Sequence, residues 1–164
     1  MTMSNRGETT FSTPSDREIE YSRVMHAPRH LVFDAYTQEE HLRQWWGPKD
    51  FTTPHVYVDL RPGGVWHYCM RAPDGQESWG RAVYQEIVPP ERLVYEDAFS
   101  DKDGNVYPPT MLITVNFTDE AGKTRITSRV RFASREDRDK VLEMGAIEGM
   151  NQTLDKLAAL LARP

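Results

Sequence analysis

The chain is predicted to fold as an α+β domain in which a curved antiparallel sheet wraps around a long C-terminal helix. Three observations carry that prediction: six β-rich stretches between residues 54 and 132, the short turn signals that join them, and an apolar stripe from Val141 to Leu161 recurring every three or four residues. Parallel strands need crossovers of about a dozen residues, so connections this short imply an antiparallel meander. At 164 residues and 19.0 kDa, a single domain over residues 17–164 is expected, long enough to remove about 70% of its unfolded surface from water.

Residues 1–16 are expected to be a flexible leader, because Thr, Ser, Asn and Gly dominate and Phe11 is the bulky apolar residue. Glu18 to Met25 alternates imperfectly, with Ile19, Tyr21 and Arg23 on one side, and is expected as an edge strand. Pro28 suits the first position of a helix that carries Leu31, Val32, Ala35 and Tyr36 at helical spacing. Thr37 and Glu40 have capping-box spacing, so a second short helix is expected from there to about Trp45, ended by Gly47-Pro48.

The expected strands are Pro54 to Asp59, Val65 to Arg71, Ser78 to Val88, Arg92 to Phe99, Thr110 to Phe117 and Thr124 to Phe132. Pro62-Gly63-Gly64, Asp74-Gly75, Pro89-Pro90, Asp103-Gly104 and Ala121-Gly122 separate them. Alternation puts Trp66, Tyr68 and Met70 on one face, with Met111, Ile113, Val115 and Phe117, and Ile126, Ser128, Val130 and Phe132, on the same side of their strands. Arg125, Thr127, Arg129 and Arg131 then face water. Ser134 and Asp137 form a capping pair that opens one helix from Arg135 to Ala162, about 40 Å long. Gly145 and Gly149 each cost that helix about 1 kcal/mol relative to Ala, which implies a close approach of its backbone to a neighbour.

Composition excludes several functions. The formal charge of −5 and pI near 5.5 have the wrong sign for a protein that neutralises phosphates, so no nucleic-acid partner is expected. Mean hydropathy is −0.66. No apolar run approaches the roughly 18 residues of a membrane span, and no signal-like stretch opens the chain, so the expected compartment is the cytoplasm, with no membrane partner. Cys69 is the single cysteine, so neither an internal disulfide nor a zinc cluster is expected, and no cofactor is implied. No phosphate loop, nucleophile elbow or metalloprotease motif occurs.

What the alternation assembles is a space between sheet and helix, enclosed by Trp46, Trp66, Tyr68, Met70, Trp79, Tyr95, Met111, Ile113, Met144 and Met150. Such a set lines either a filled core or a pocket for an apolar or aromatic small molecule. Glu148, beside Val141 and Met144 on the helical stripe, is the candidate acid or base in that space. Asp97 shares a strand face with Tyr95 and is a possible polar partner there, ranked after Glu148 because it stands near a strand end. His67 and Cys69 share the opposite face of their strand, near His55, without the spacing of a metal site. Lys123, Arg125, Arg129 and Arg131 form a basic ribbon without the interleaved aromatics that stack bases.

Several local sequences agree with one known family. These are Ala27-Pro28 followed by Val32-Phe33, Trp45-Trp46-Gly47-Pro48, Asp59-Leu60-Arg61-Pro62-Gly63-Gly64, Pro89-Pro90-Glu91-Arg92-Leu93 and Leu154-Asp155-Lys156-Leu157. Together, over about Arg17 to Leu161, they resemble the activator-of-heat-shock-protein-ATPase (AHSA-like) family of the START-like, or SRPBCC, superfamily. The resemblance implies the helix-grip fold, with two short helices after the first strand. It also implies a co-chaperone reading, since the family's founding member stimulates a chaperone's ATPase. The family pattern usually has Gly followed by Trp in the last helix, where this chain has Gly149-Met150, a change that either leaves adaptable space beside the sheet or is neutral repacking. The expected function is therefore binding of a hydrophobic small molecule by a monomer or homodimer. A chaperone-stimulating interaction protein is the alternative, and an enzyme of the superfamily's cyclase, lyase or hydrolase kinds the third reading.

Overall fold

The computed structural model describes residues 3–6 and 8–163, the first four through their backbone. Strands β1 (Met3–Arg6), β2 (Thr9–Ser12) and β3 (Glu18–Met25) precede two short helices, α1 (Arg29–Thr37) and α2 (Glu39–Trp45). Six strands follow: β4 (Thr52–Val58), β5 (Val65–Arg71), β6 (Glu77–Val88), β7 (Arg92–Ser100), β8 (Val106–Glu120) and β9 (Lys123–Phe132). Helices α3 (Arg135–Glu143) and α4 (Ala146–Leu161) close the chain. Among the described residues the strands make one nine-stranded antiparallel sheet in the order β1-β2-β3-β9-β8-β7-β6-β5-β4. This is the helix-grip architecture that the alternation and the final stripe predict, and β5 has the expected bounds.

The inner faces come out as read. Val115, Phe117, Ile126 and Trp66 are almost fully buried, and Leu154 and Leu157 of α4 pack among them at no measurable exposure. Helix α1 adds Phe33 and Tyr36, whose rings meet Phe117 edge-on at 5.6 and 5.1 Å. The Trp45 indole N–H donates to the Ala35 carbonyl at 2.9 Å, tying α2 to α1.

Part of the expected leader is a strand, Thr9–Ser12, paired with both β1 and β3, while residues 1, 2 and 7 of that leader lie outside the described residues. Thr10, Phe11 and Ser12 pair with Ser22, Tyr21 and Glu20, and the Phe11 ring lies 5.8 Å from that of Tyr21. One buried aromatic together with ladder hydrogen bonds orders a segment whose composition argues against order. Strand β3 is consequently interior, between β2 and β9, rather than an edge. Its inward Arg23 is explained by an element distant in sequence: Nη1 reaches Oδ1 of Asp155 on α4 at 2.6 Å. The basic ribbon on β9 is matched across the strands, Arg129 by Glu18 and Glu20, and Arg125 by Glu120 and the Ser22 hydroxyl. These pairs balance Arg125 and Arg129, two of the ribbon's four cations.

Two helix expectations change. Thr37 does not cap α2; its hydroxyl donates back to the Phe33 carbonyl, Gln38 takes the cap position, and Glu39 accepts from the Val58 N–H at 2.8 Å. The single C-terminal helix is broken at Gly145, which has φ +85° and stands as the N-cap of α4. A left-handed residue cannot continue a right-handed helix, and glycine adopts that conformation without a Cβ clash. Ser134 does cap α3 as expected, accepting from the Asp137 N–H at 3.1 Å. Gly149 admits no unusual approach, because a Cβ there would meet only Pro48 Cγ at 3.7 Å.

Candidate functional site: a cavity between sheet and helix

The site starts from the loop that follows α2. Gly47 has φ +108°, which turns the chain sharply after Trp46. Lys156 of α4 holds that turn, its Nζ donating to the carbonyls of Gly47, Pro48 and Phe51 at 3.1, 3.4 and 3.3 Å. Half-burial lowers its pKa, partly opposed by Asp50. The Thr53 hydroxyl also donates to the Trp46 carbonyl. So anchored, the Trp46 ring packs edge-on against Trp66 at 4.7 Å and Tyr68 at 5.7 Å.

Strands β5 and β7 supply the polar centre. The Tyr68 hydroxyl donates to Asp97 Oδ2 at 2.9 Å, and the Ala98 N–H donates to Oδ1 at 3.0 Å. Asp97 is only 6% exposed. Burial pushes its carboxyl up to about 6, with the Tyr68 and Ala98 hydrogen bonds pulling the other way. Burial likewise raises the Tyr68 and Tyr95 phenols well above their ordinary value and Tyr21 to about 12, so these stay neutral at physiological pH.

Above this centre lies a cavity of about 140 Å³ between the sheet and α3–α4. Its wall comprises Phe11, Ile19 and Tyr21 from β2 and β3, Trp46, then Tyr95 and Asp97, Met111 and Ile113, and Val130 and Phe132 from the later strands. Val141, Ala146, Ile147 and Met150 close it from the helices. Asp97 is the one charged side chain among the described residues that line it. An apolar cavity of roughly 150 Å³ is large enough for benzene, so this one fits a single ring or a branched chain of similar bulk. A second chamber of about 180 Å³ shares Phe11, Ile19 and Ile147 with it and adds Ser12, Thr13, Arg138 and Leu142, forming a more polar vestibule beside α3. A larger depression of about 670 Å³ at Thr37, Glu39, Glu40, Arg43 and Leu60 is open to solvent, so it desolvates a ligand poorly.

Of the residues expected at the pocket, Trp46, Tyr95, Asp97, Met111, Ile113 and Met150 line the cavity. Trp66 and Tyr68 are buried one layer behind, against Trp46 and Tyr95. Met70 lies at the loop, with its sulfur beside Gly47. Three expected residues are elsewhere. Trp79 is opposite Cys69 on β5, which puts it on the outer face, where its ring packs on His55 and His67 at 5.3 and 5.1 Å. Met144 is 62% exposed because the break at Gly145 turns it away from the stripe. Glu148 is exposed on the outer side of α4, within 3.5 Å of the Gln152 side chain. The order of the two carboxylates is thereby reversed, and Asp97 is the one in the cavity.

The sequence reading did not place several wall residues at the cavity: Phe11, Ile19 and Tyr21, brought there by β2 and β3, Val130 and Phe132 on the inward face of β9, and Val141, Ala146 and Ile147 from the helices. It also missed Gly80, opposite Tyr68, where a Cβ would come within 2.2 Å of the Tyr68 ring. Among the described residues, no group of three or more His, Cys, Asp or Glu side chains is placed to hold a metal ion. No helix of the described chain is long and apolar enough to cross a membrane.

The sheet gripping a C-terminal helix over an apolar cavity defines a START-like domain. Residues 26–162 match the family model described as activator of Hsp90 ATPase homolog 1-like protein, and the chain belongs to that family. Solved structures agree. Protein Ms6760 from Mycobacterium smegmatis superposes with a TM-score of 0.86 at 28% identity, covering 99% of both chains. A protein from Staphylococcus epidermidis gives 0.79 at 33% identity, over 98% of this chain and 93% of that one. The AHSA1 protein from Silicibacter pomeroyi, at 22% identity and a TM-score of 0.71 over 88% and 97%, shares the fold. No curated protein matches the chain.

Proposed function

We propose that this protein is a binding module for a compact apolar or aromatic small molecule, held in the cavity between sheet and helix. The observation that carries the reading is the cavity itself, about 140 Å³ walled by aromatic, aliphatic and Met side chains around one carboxylate. Small-molecule sites have this character, an apolar concavity with few polar groups that fix orientation.

Met150 is central to the proposal. It lines the cavity from α4, at a position where the family resemblance implies Trp. An indole there takes the volume that the thioether leaves, so Met150→Trp fills the site while keeping the residue apolar. Titration of single-ring aromatics into the 15N-labelled protein tests the reading. Shifts centred on Tyr95, Met111, Ile113 and Phe132, absent in Met150→Trp, support it. Shifts scattered over the surface and identical in both proteins oppose it.

A further inference from the structure

We propose that the ligand of this cavity is a compact organic ammonium ion, an arylalkyl or branched alkyl amine whose charge sits on Asp97 and whose apolar body lies toward Phe132, Val141 and Met150. This deepens the binding-module reading and rests on it. The argument begins with an imbalance. Asp97 is buried without a cation, since the partners of its carboxylate are a neutral phenol and a backbone N–H. Buried carboxylates are ordinarily paired with a positive charge, and one left alone is costly.

Among the described residues, no cation approaches from a neighbouring element. Opposite Asp97 on β6 and β8 stand Ala82 and Met111. The titratable groups facing it are Tyr68 from β5 and Tyr95 from β7, which burial keeps neutral. The helices present Val141, Ala146, Ile147 and Met150 to the cavity. Arg138, in the vestibule, is engaged by Asp139 at 2.9 Å and the Ser15 carbonyl at 2.8 Å.

What surrounds the carboxylate suits an ammonium group. Trp46, Tyr21 and Tyr95 line the same small volume, and aromatic faces attract alkylammonium ions most strongly where water is excluded. A carboxylate has about four acceptor sites. Tyr68 and Ala98 leave part of that capacity for a charged donor. The volume limits the ligand to about one ring with a short arm.

Three isosteres test the proposal: benzylamine, benzyl alcohol and toluene, titrated at pH 7.5 by calorimetry or NMR. The expected result is that benzylammonium binds about tenfold or more tightly than benzyl alcohol, and that Asp97→Asn abolishes the preference while retaining toluene. The wild-type protein supplies an independent readout. An alkylammonium stays charged at pH 5 whereas Asp97 gains a proton, so benzylammonium affinity falls about tenfold between pH 7.5 and 5 while toluene affinity holds. Benzyl alcohol or toluene binding as tightly as the amine overturns the ammonium proposal and leaves the binding module standing. Failure of all three to perturb the cavity overturns both.

Discussion

Tyr68 lies across the backbone of Gly80, so close that a methyl group on Gly80 would come within 2.2 Å of the Tyr68 Cζ. The two residues are directly opposite on β5 and β6, and the missing side chain is what lets the phenol lean over the neighbouring strand toward Asp97 on β7. A glycine inside a strand weakens it locally, and here the benefit is a hydrogen bond that spans three strands.

Gly80→Ala is therefore expected to destabilise the protein by about 1–3 kcal/mol, the usual range for overpacking a close contact. The displaced ring loses its bond to Asp97. Urea denaturation measures the first effect. The 13C shift of the Asp97 carboxyl against pH measures the second, with its midpoint moving up as the Tyr68 bond that lowers it is lost. An unchanged midpoint together with unchanged stability contradicts this geometry.

Asp97 gives a pH-dependent prediction. Its carboxyl rises from 3.8 to about 6 on folding, so the native state keeps a proton between about pH 4 and 6 that the unfolded chain has released. Stability from this group is greatest below pH 4, falls as pH rises through that window and is level above it, a change of about 3 kcal/mol. Asp97→Asn removes the dependence. Relative to wild type, the variant gains stability between pH 4 and 7.5, read from paired denaturation curves. A gap of the opposite slope shows that the native carboxyl is not raised.

Trp66→Ala is expected to cost about 3–5 kcal/mol, because the indole is 1% exposed and packs on Trp46, Tyr68 and Tyr95 behind the cavity wall. Its effect on ligand affinity follows from loss of the support for Trp46. Thermal denaturation with and without a saturating aromatic ligand separates the two. A small stability loss with a large affinity loss would place Trp66 in the wall itself.

The strands and their faces were legible because a period of two needs only local sequence, as in Val65–Arg71, where the inward Trp66 and Tyr68 alternate with the outward His67 and Cys69. The apolar stripe placed Leu154 and Leu157 correctly for the same reason. The break at Gly145 was not legible, since the stripe runs through it and a glycine inside a helix reads as a modest penalty. Met144 was misplaced as a result. The place of Asp97 near a strand end suggests a solvated carboxylate, and its burial is not legible locally because it depends on Tyr68 of β5 and on a cavity that the two C-terminal helices close. Arg23 reads as a defect in β3 until Asp155, 132 residues later, is seen beside it.

The central claim, that the space between sheet and helix admits a small apolar ligand, is tested most directly by crystallography with an anomalous probe. Crystals exposed to iodobenzene are predicted to show an iodine peak inside the cavity, within van der Waals contact of Met111, Ile147 or Met150 in the wild-type protein and absent in Met150→Trp. A structure in which these side chains meet one another and leave no volume, with iodine bound only at the surface, would contradict the account.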